Sequence, residues 1–481
     1  MKKISIIILL LSNLFAKSQE IINTIDVSDL NAKKIELFNV FNSNDDKKVV
    51  HLLKHKRELH ASLYDKRLNP IGEKIFLEKF KNYRESISGH SNNGNRFSIY
   101  LNDDHEKWAV LSLDFDTYEV LIKDYDIKLR SQDFLNSFSV NDSHYIVTIK
   151  KHSSIVFIHK LYPDGSYTST EYDFSSVDFS GGLRSIGNLH KLMNASSETF
   201  QTDLIRNDVP ISLRSTNEKV KLYVNENSIS MTIDNSRDYT YILHLDKYNS
   251  DKKSTIITKD KMKERSSFED SNSFIYGNHI FSVKSTFEEL KFSVTDLSNL
   301  KVVKTYSALK NDPINFKSTA ILNQKSGNKN TKPINTTEDF LEKITNSKPA
   351  ISVYEQNNKL IVTIGASKQD NSKEEALAVI STLVGGSLGA GAVYSSNANA
   401  IDNNFLDYSR TKTTRFQTVL DKNFNQIQDI AIEENVFDKI KNYDLNNDIQ
   451  GMKALYKLND TFYYSFIDEN TNQIKTVAFL Q

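Results

Sequence analysis

The sequence predicts an all-β fold assembled from a repeated four-stranded antiparallel unit. Three observations predict it. Short β-branched and aromatic runs of strand length recur along most of the chain, apolar and polar residues broadly alternate within them, and turn-formers separate them. The clearest unit spans residues 134–174, with strands at 134–140, 144–150, 155–161 and 167–174 separated by NDS, KHSS and YPDGS. In the last turn Pro163 presets φ, Asp164 can bond its own backbone, and Gly165 accepts a positive φ.

The chain has 481 residues, more than one compact core usually holds, so it is either several domains or one repetitive architecture. Lys plus Arg equals Asp plus Glu at 61 each, which leaves no net charge to draw the chain to nucleic acid or an anionic surface. The N-terminus carries Lys2 and Lys3, an apolar run over 4–15, and Ala16 and Ser18 at the −3 and −1 places of a cleavage site. That is the pattern of a secretory signal peptide over residues 1–18, cut before Gln19, and its apolar run is shorter than the ~20 residues a membrane-spanning helix needs. The chain has no cysteine, which removes disulfides, a lipid-bearing Cys anchor and thiolate chemistry. An exported bacterial protein, periplasmic or extracellular and held by its core alone, is expected.

Residues 20–27 form one isolated strand. Unit one follows with strands at 36–41, 49–54, 59–64 and 74–78. Unit two is weak near Ser86 and clear at 97–101, 108–113 and 120–125; unit three is 134–174. Residues 175–216 show no clean period and read as a surface excursion. Unit four resumes at 220–224, 228–233, 240–248 and 254–259, and unit five at 273–276, 279–284, 290–295 and 301–307, with Gly277 and Asn278 as a two-residue hairpin turn. A second excursion over 308–348 contains the polar linker QKSGNKNTKPINT and a short helix at TEDFLEKI. Unit six begins with a hairpin, 350–354 and 359–365, breaks for an insertion over 366–412, and resumes at 415–420 and 427–432. Unit seven has three strands only, at 454–457, 461–467 and 473–480.

Six units of four strands and one of three, spaced at roughly 45 residues outside the excursions, match the period of propeller blades. Pairing of the N-terminal strand with 473–480 would complete the last unit and close a ring. On these features the chain resembles the β-propeller proteins over essentially its whole mature length, as a single seven-bladed domain over 19–481. It lacks a Trp-Asp dipeptide, a fixed double glycine and an S-x-D-x-G-x-x-W box, so the resemblance implies a fold and no family activity. Two β-sandwich domains divided near residue 200 are the competing expectation.

The insertion differs from the rest. Ser372 and Glu375 make a capping box, and 376–394, ALAVISTLVGGSLGAGAVY, is 19 residues without a charge. Gly385 and Gly389 give a G-x-x-x-G spacing, while the glycines weaken any helix. A helix with a Gly-rich loop packed over one mouth of the ring, covering or plugging it, is expected; the alternative is a protein-contacting hairpin, its contact residues being Leu383, Val384, Gly385, Gly386, Leu388, Gly389 and Gly391. The same stretch matches G-x-S-x-G at 385–389, but the last histidine is His279, so no base follows the serine as a hydrolase elbow requires. His51, His55 and His60, and His144, His152 and His159, read as solvated or partly buried strand residues rather than zinc ligands. Asp444, Asn446 and Asp448 imitate a calcium loop, but Ile449 stands where Gly is needed and Leu455 where a Glu is needed, so a polar turn is expected. Trp108, the only tryptophan, reads as core.

No cofactor or metal is implied. The expected function is non-enzymatic binding of a protein or cell-surface component, with the insertion as the contact element. A glycan-directed hydrolase or lyase, with residues from several units meeting at the axis, is the alternative, and membrane association through 376–394 is a third.

Overall fold

The computed structural model describes residues 20–480 apart from 79, 81–85, 104, 181–186, 195–201, 265, 325–330, 369–399 and 429. The signal-peptide residues and the whole contact set Leu383–Gly391 therefore lie outside the described residues, as does the G-x-S-x-G match.

After β1 (Ile21–Asp26), sheet one is formed by β2 (Ile35–Asn42), β3 (Lys48–His55), β4 (Glu58–Asp65) and β5 (Pro70–Leu77). Sheet two is β6 (Ser86–Asn93), β7 (Arg96–Asp103), β8 (Lys107–Asp114) and β9 (Glu119–Tyr125). Sheet three is β10 (Gln132–Val140), β11 (Ser143–Lys150), β12 (Ile155–Leu161) and β13 (Tyr167–Asp173). Helix α1 (Leu189–Met193), strand β14 (Thr202–Ile205) and helix α2 (Leu213–Asn217) then lead to sheet four, β15 (Val220–Val224), β16 (Ser228–Ile233), β17 (Tyr239–Asp246) and β18 (Lys252–Thr258). Sheet five is β19 (Asp270–Tyr276), β20 (His279–Ser285), β21 (Glu289–Asp296) and β22 (Val302–Leu309). Sheet six draws on β23 (Ile321–Gln324), β24 (Thr331–Ile334), β25 (Lys348–Gln356), β26 (Lys359–Lys368) and β27 (Lys412–Leu420), with helix α3 (Thr337–Thr345) before β25 and helix α4 (Ala400–Arg410) before β27. Helix α5 (Val436–Asn446) precedes β28 (Lys453–Leu458), β29 (Thr461–Asp468) and β30 (Gln473–Leu480) of sheet seven.

β1 pairs antiparallel with β30, Thr24 opposite Lys475 and Ile25 opposite Ile474, so the seventh sheet is completed from the other end of the sequence. The all-β class and the four-stranded antiparallel unit hold. Seven successive sheets with this completing strand are the strand plan of a seven-bladed β-propeller.

Three local expectations are corrected. The described residues of 427–432 form no strand; the edge of β27 is already taken by β23, with Leu322 opposite Arg415, and β24 lies outside β23. Pro333 of the supposed linker is thus in an outermost strand, the place in a sheet where a proline is tolerated. The 175–216 excursion is not all surface loop, since β14 pairs parallel to β15 as a fifth strand of sheet four. Asp444 and Asn446 belong to the end of α5 rather than to a turn, and Asp444 accepts from Lys453 Nζ and from the Tyr464 hydroxyl, each at 2.6 Å.

The chain divides into two compact units. One, with residues up to 81 and 434–481, holds sheets one and seven, which pack through Val27, Phe38, Val40, Val49, Tyr456 and Ile474. The other, with 82–376 and 391–433, holds sheets two to six; Tyr100, Trp108, Ile146 and Leu161 join sheets two and three, and Tyr145, Val147, Leu222 and Met231 join three and four. Trp108 is fully buried, as expected, and its indole N–H donates to the His105 carbonyl at 3.1 Å.

Burial accounts for the strand compositions. Within sheet three the second strand, β11, is buried from Ser143 to Ile149 and is mostly apolar, whereas the outer strand β13, YTSTEYD, buries only Tyr172. An aspartate recurs in every hairpin between third and fourth strands of sheets one to five, and in the turn that follows β27 in sheet six. The side chains of Asp65, Asp114, Asp164, Asp246, Asp296 and Asp421 each accept the amide of the residue two positions on, at 2.7–3.0 Å. A second device joins neighbouring sheets. Tyr125, Tyr172 and Tyr306, each on an outer strand, donate to a hairpin carbonyl of the following sheet: Tyr162 at 2.6 Å, Asn249 at 3.0 Å and Phe424 at 2.7 Å.

Candidate functional site

The segments that interrupt the sheets converge within the larger unit. β14 and α2 lie between sheets three and four, α4 lies inside sheet six, and all three leave their sheets at connections from a fourth strand to a first or from a second to a third. In a meander those connections share one end of the strands, so insertions from different sheets are brought together. Ser212 caps α2 by accepting from Ser215 N, because its side chain satisfies an otherwise unpaired helix amide. Its own amide donates to Asn404 Oδ1 of α4 at 3.2 Å, and Asn404 Nδ2 returns a bond to the Pro210 carbonyl at 2.7 Å. Arg214 Nη1 lies 3.3 Å from Asp407 Oδ1. α2 is anchored beneath: Asn217 Nδ2 donates to Ser367 Oγ of β26 at 2.6 Å, and Asn272 Nδ2 of β19 donates to the Asn217 carbonyl at 2.9 Å.

Two carboxyls here are shifted upward from the ordinary carboxylate range. Burial raises Asp203 of β14 well above the ordinary carboxylate range; the nearby charges of Asp407 and Glu218 add to this, against Arg214 and Lys221. Burial also raises Asp407, with Arg214 and a hydrogen bond to Ser215 opposing it. Glu218 pairs with Lys348 at 3.4 Å.

A lysine–aspartate network adjoins them. Lys221 Nζ donates to the Glu218 carbonyl at 2.7 Å and to Asn272 Oδ1, and lies 3.3 Å from Asp234 Oδ2. Lys259 Nζ donates to the carbonyls of Asp234 and Ser236 and to Ser271 Oγ at 2.7–2.8 Å. For Asp234, burial alone would raise the pKa, but Lys221, Lys259 and the hydroxyls of Thr240 and Ser273 outweigh it and hold the group at about 2. The cavity beside this network, lined by Lys259, Ser271, Asn272, Ser282 and Lys284, measures about 20 Å³, room for about one water molecule. Its lysines are committed to protein oxygens. Asp203 and Asp407 are the carboxyls of this site whose proton affinity is raised, and Asp407 also pairs with Arg214.

The histidine expectation holds in part. His55 and His60 are half-buried beside Glu58, each 3.5 Å from its Oε2, and His152 is exposed. His51, His144 and His159 are instead buried: His51 lies against Phe38 and Tyr64, His144 stacks on Tyr100 and accepts or donates at Ser139 Oγ (2.9 Å), and His159 contacts Thr148, Gln132 and Ser169. Among the described residues no three His, Asp or Glu side chains gather as metal ligands. Asp203, Arg214 and Asp407 carried no local motif; Arg214 and Asp407 are nearly two hundred positions apart and meet only in space.

No family model matches the chain, and no curated protein matches it. Solved structures of similar layout include the uncharacterized protein lmo1340 of Listeria monocytogenes EGD-e, at 11% identity over 91% of this chain and 94% of that one, with a TM-score of 0.29. The WD40 domain of SCAP from fission yeast is 9% identical over 95% and 90%, with a TM-score of 0.29, and the Dos1 propeller 13% identical over 68% and 75%, with a TM-score of 0.25. At these scores the strand pairing itself remains the ground for the fold.

Proposed function

We propose that this chain is an exported, non-enzymatic binding protein of propeller plan that engages a protein or cell-surface component at the end of the larger unit where β14, α2 and α4 meet. The observation that carries the reading is the tie between insertions of different sheets, from Ser212, Arg214 and Pro210 to Asn404 and Asp407. Loops fixed to one another offer a preorganised surface, which loses less ordering entropy on binding than free loops would. Export is supported by the basic, apolar and small-residue pattern of residues 2–18, and the mature protein is expected to begin at Gln19.

The test is cross-linked capture from the native cell envelope, read by mass spectrometry, comparing the mature chain with one in which residues 369–399 are replaced by a short Gly-Ser link. A partner recovered by the first and lost from an equally stable second supports the reading. Identical recoveries would remove the insertion from it.

A glycan-directed hydrolase or lyase is the second reading, favoured by the raised proton affinity of the carboxyls Asp203 and Asp407. Turnover of an envelope polysaccharide that disappears in both Asp203→Asn and Asp407→Asn, with folding intact, would replace the first reading.

A further inference from the structure

Several hairpins between first and second strands carry an exposed asparagine. Asn141 in sheet three, Asn225 in sheet four and Asn459 in sheet seven are followed by Asp142, Glu226 and Asp460. The hairpin of sheet two differs. Asn93, the last residue of β6, is followed by Gly94, and this is the one Asn-Gly dipeptide in the sequence. Both residues are exposed, and Gly94 and Asn95 make the turn that returns the chain to Arg96, opposite Asn93 in the ladder. Gly94 takes a left-handed φ of 60°, with nothing within 4 Å of the place a Cβ would fill.

Two groups here can react with each other. Among the described residues the Asn93 carboxamide forms no hydrogen bond, whereas its neighbours are engaged: Asn92 Nδ2 donates to the Gly94 carbonyl at 3.3 Å and Asn95 Nδ2 to Asp116 Oδ1 at 2.7 Å. The Gly94 amide donates to no acceptor among them either, since the ladder resumes at Arg96. An amide nitrogen beside a side-chain carboxamide carbon can close a cyclic imide. A side chain on the following residue hinders that closure, and glycine removes the hindrance while freeing the backbone to turn.

We infer that Asn93-Gly94 is a self-modifying site, at which the folded protein converts Asn93 to aspartate and isoaspartate with water as the co-reactant. The Gly94 amide gives its proton to solvent base and its nitrogen adds to Asn93 Cγ; the Cγ–Nδ2 bond breaks and ammonia leaves. Water then opens the imide. Attack at Cγ restores the main chain and leaves aspartate, and attack at the main-chain carbonyl leaves isoaspartate; nothing is oxidised or reduced. Aspartate sets a new carboxylate in register with Arg96, which already pairs with Asp114 at 2.6 Å. Isoaspartate lengthens the main chain by a methylene and disturbs the register of β6 with β7. The site lies apart from the contacts among β14, α2 and α4 and stands whether or not that end binds a partner.

Peptide mapping of the folded mature chain, held in mildly alkaline buffer made with heavy-oxygen water, tests it. Fragment masses place each change, and chromatography separates the two isomers. Labelled aspartate and isoaspartate at Asn93, formed at least about tenfold faster than any change at Asn141, Asn225 or Asn459, are expected. Gly94→Ala should slow the conversion at least about tenfold, because it restores a side chain beside the attacking nitrogen. Asn93→Gln, which leaves Gly94 in its left-handed conformation, should keep its amide over the same period and gives the answer if Gly94→Ala does not fold. Asn93 unchanged in the folded chain, or converted no faster than those three asparagines, or converted as fast in folded Gly94→Ala, overturns the site.

Discussion

Buried histidines are expected to make this protein less stable in acid. Burial holds His51 and His144 at about 3 and His159 at about 4, against an ordinary value near 6.5. Their folded pKa values are depressed, so below pH 6.5 the unfolded chain binds protons that the folded chain refuses. Stability is present above that pH and is lost as pH falls toward 4, at up to ~1.4 kcal/mol per pH unit for each histidine. Denaturant midpoints measured between pH 7 and 4 should fall along that slope, and His51→Leu should flatten it, because both His51 ring nitrogens lack hydrogen-bond partners among the described residues. At Asp234 the opposite logic applies. Asp234→Ala would strand Lys221 and Lys259 without their counter-charge, and a loss of roughly 3–5 kcal/mol in chemical unfolding is expected. Tyr172→Phe, which deletes one sheet-to-sheet donor, should cost only about 1 kcal/mol.

Among the elements, strands were readable because burial dictates their alternation, and the Pro163-Asp164-Gly165 turn forms as its chemistry requires, with Gly165 at φ 86°. The outer strand of sheet six was misread because both 427–432 and 321–334 contain short apolar runs, and only pairing in space decides which one borders β27. Helix α5 did carry a signal: Asn435 and Asp438 form a reciprocal capping box, visible as N-x-x-D before Val436 and Phe437 are used up in the core. The recurring hairpin aspartate was likewise present in the sequence, hidden by turns of unequal length. The site itself was not legible, since Asp203 and Arg214 come from one connection and Asp407 from an insertion nearly two hundred positions on, with no shared spacing. Close packing within sheet six gives a direct check on its register. A Cβ on Gly365 would lie 2.1 Å from the Thr414 carbonyl oxygen, so Gly365→Ala should lower stability by about 1–3 kcal/mol in thermal or chemical unfolding.

For the whole molecule, sheet seven joins the two ends of the sequence. Without residues 20–27, β30 would be left as an open edge, and the shortened protein should unfold at lower denaturant and associate as its concentration rises, which sedimentation can read. Function is a separate matter from this plan, which many activities share. What singles out this chain is that insertions of different sheets are bonded to one another through Ser212, Asn404, Arg214 and Asp407. The most direct test is amide hydrogen exchange on the mature chain, alone and bound to the envelope fraction it captures. Protection concentrated in β14, α2 and α4 is the predicted result; protection confined to the third-to-fourth-strand hairpins, with exchange in α2 and α4 unchanged, would contradict it.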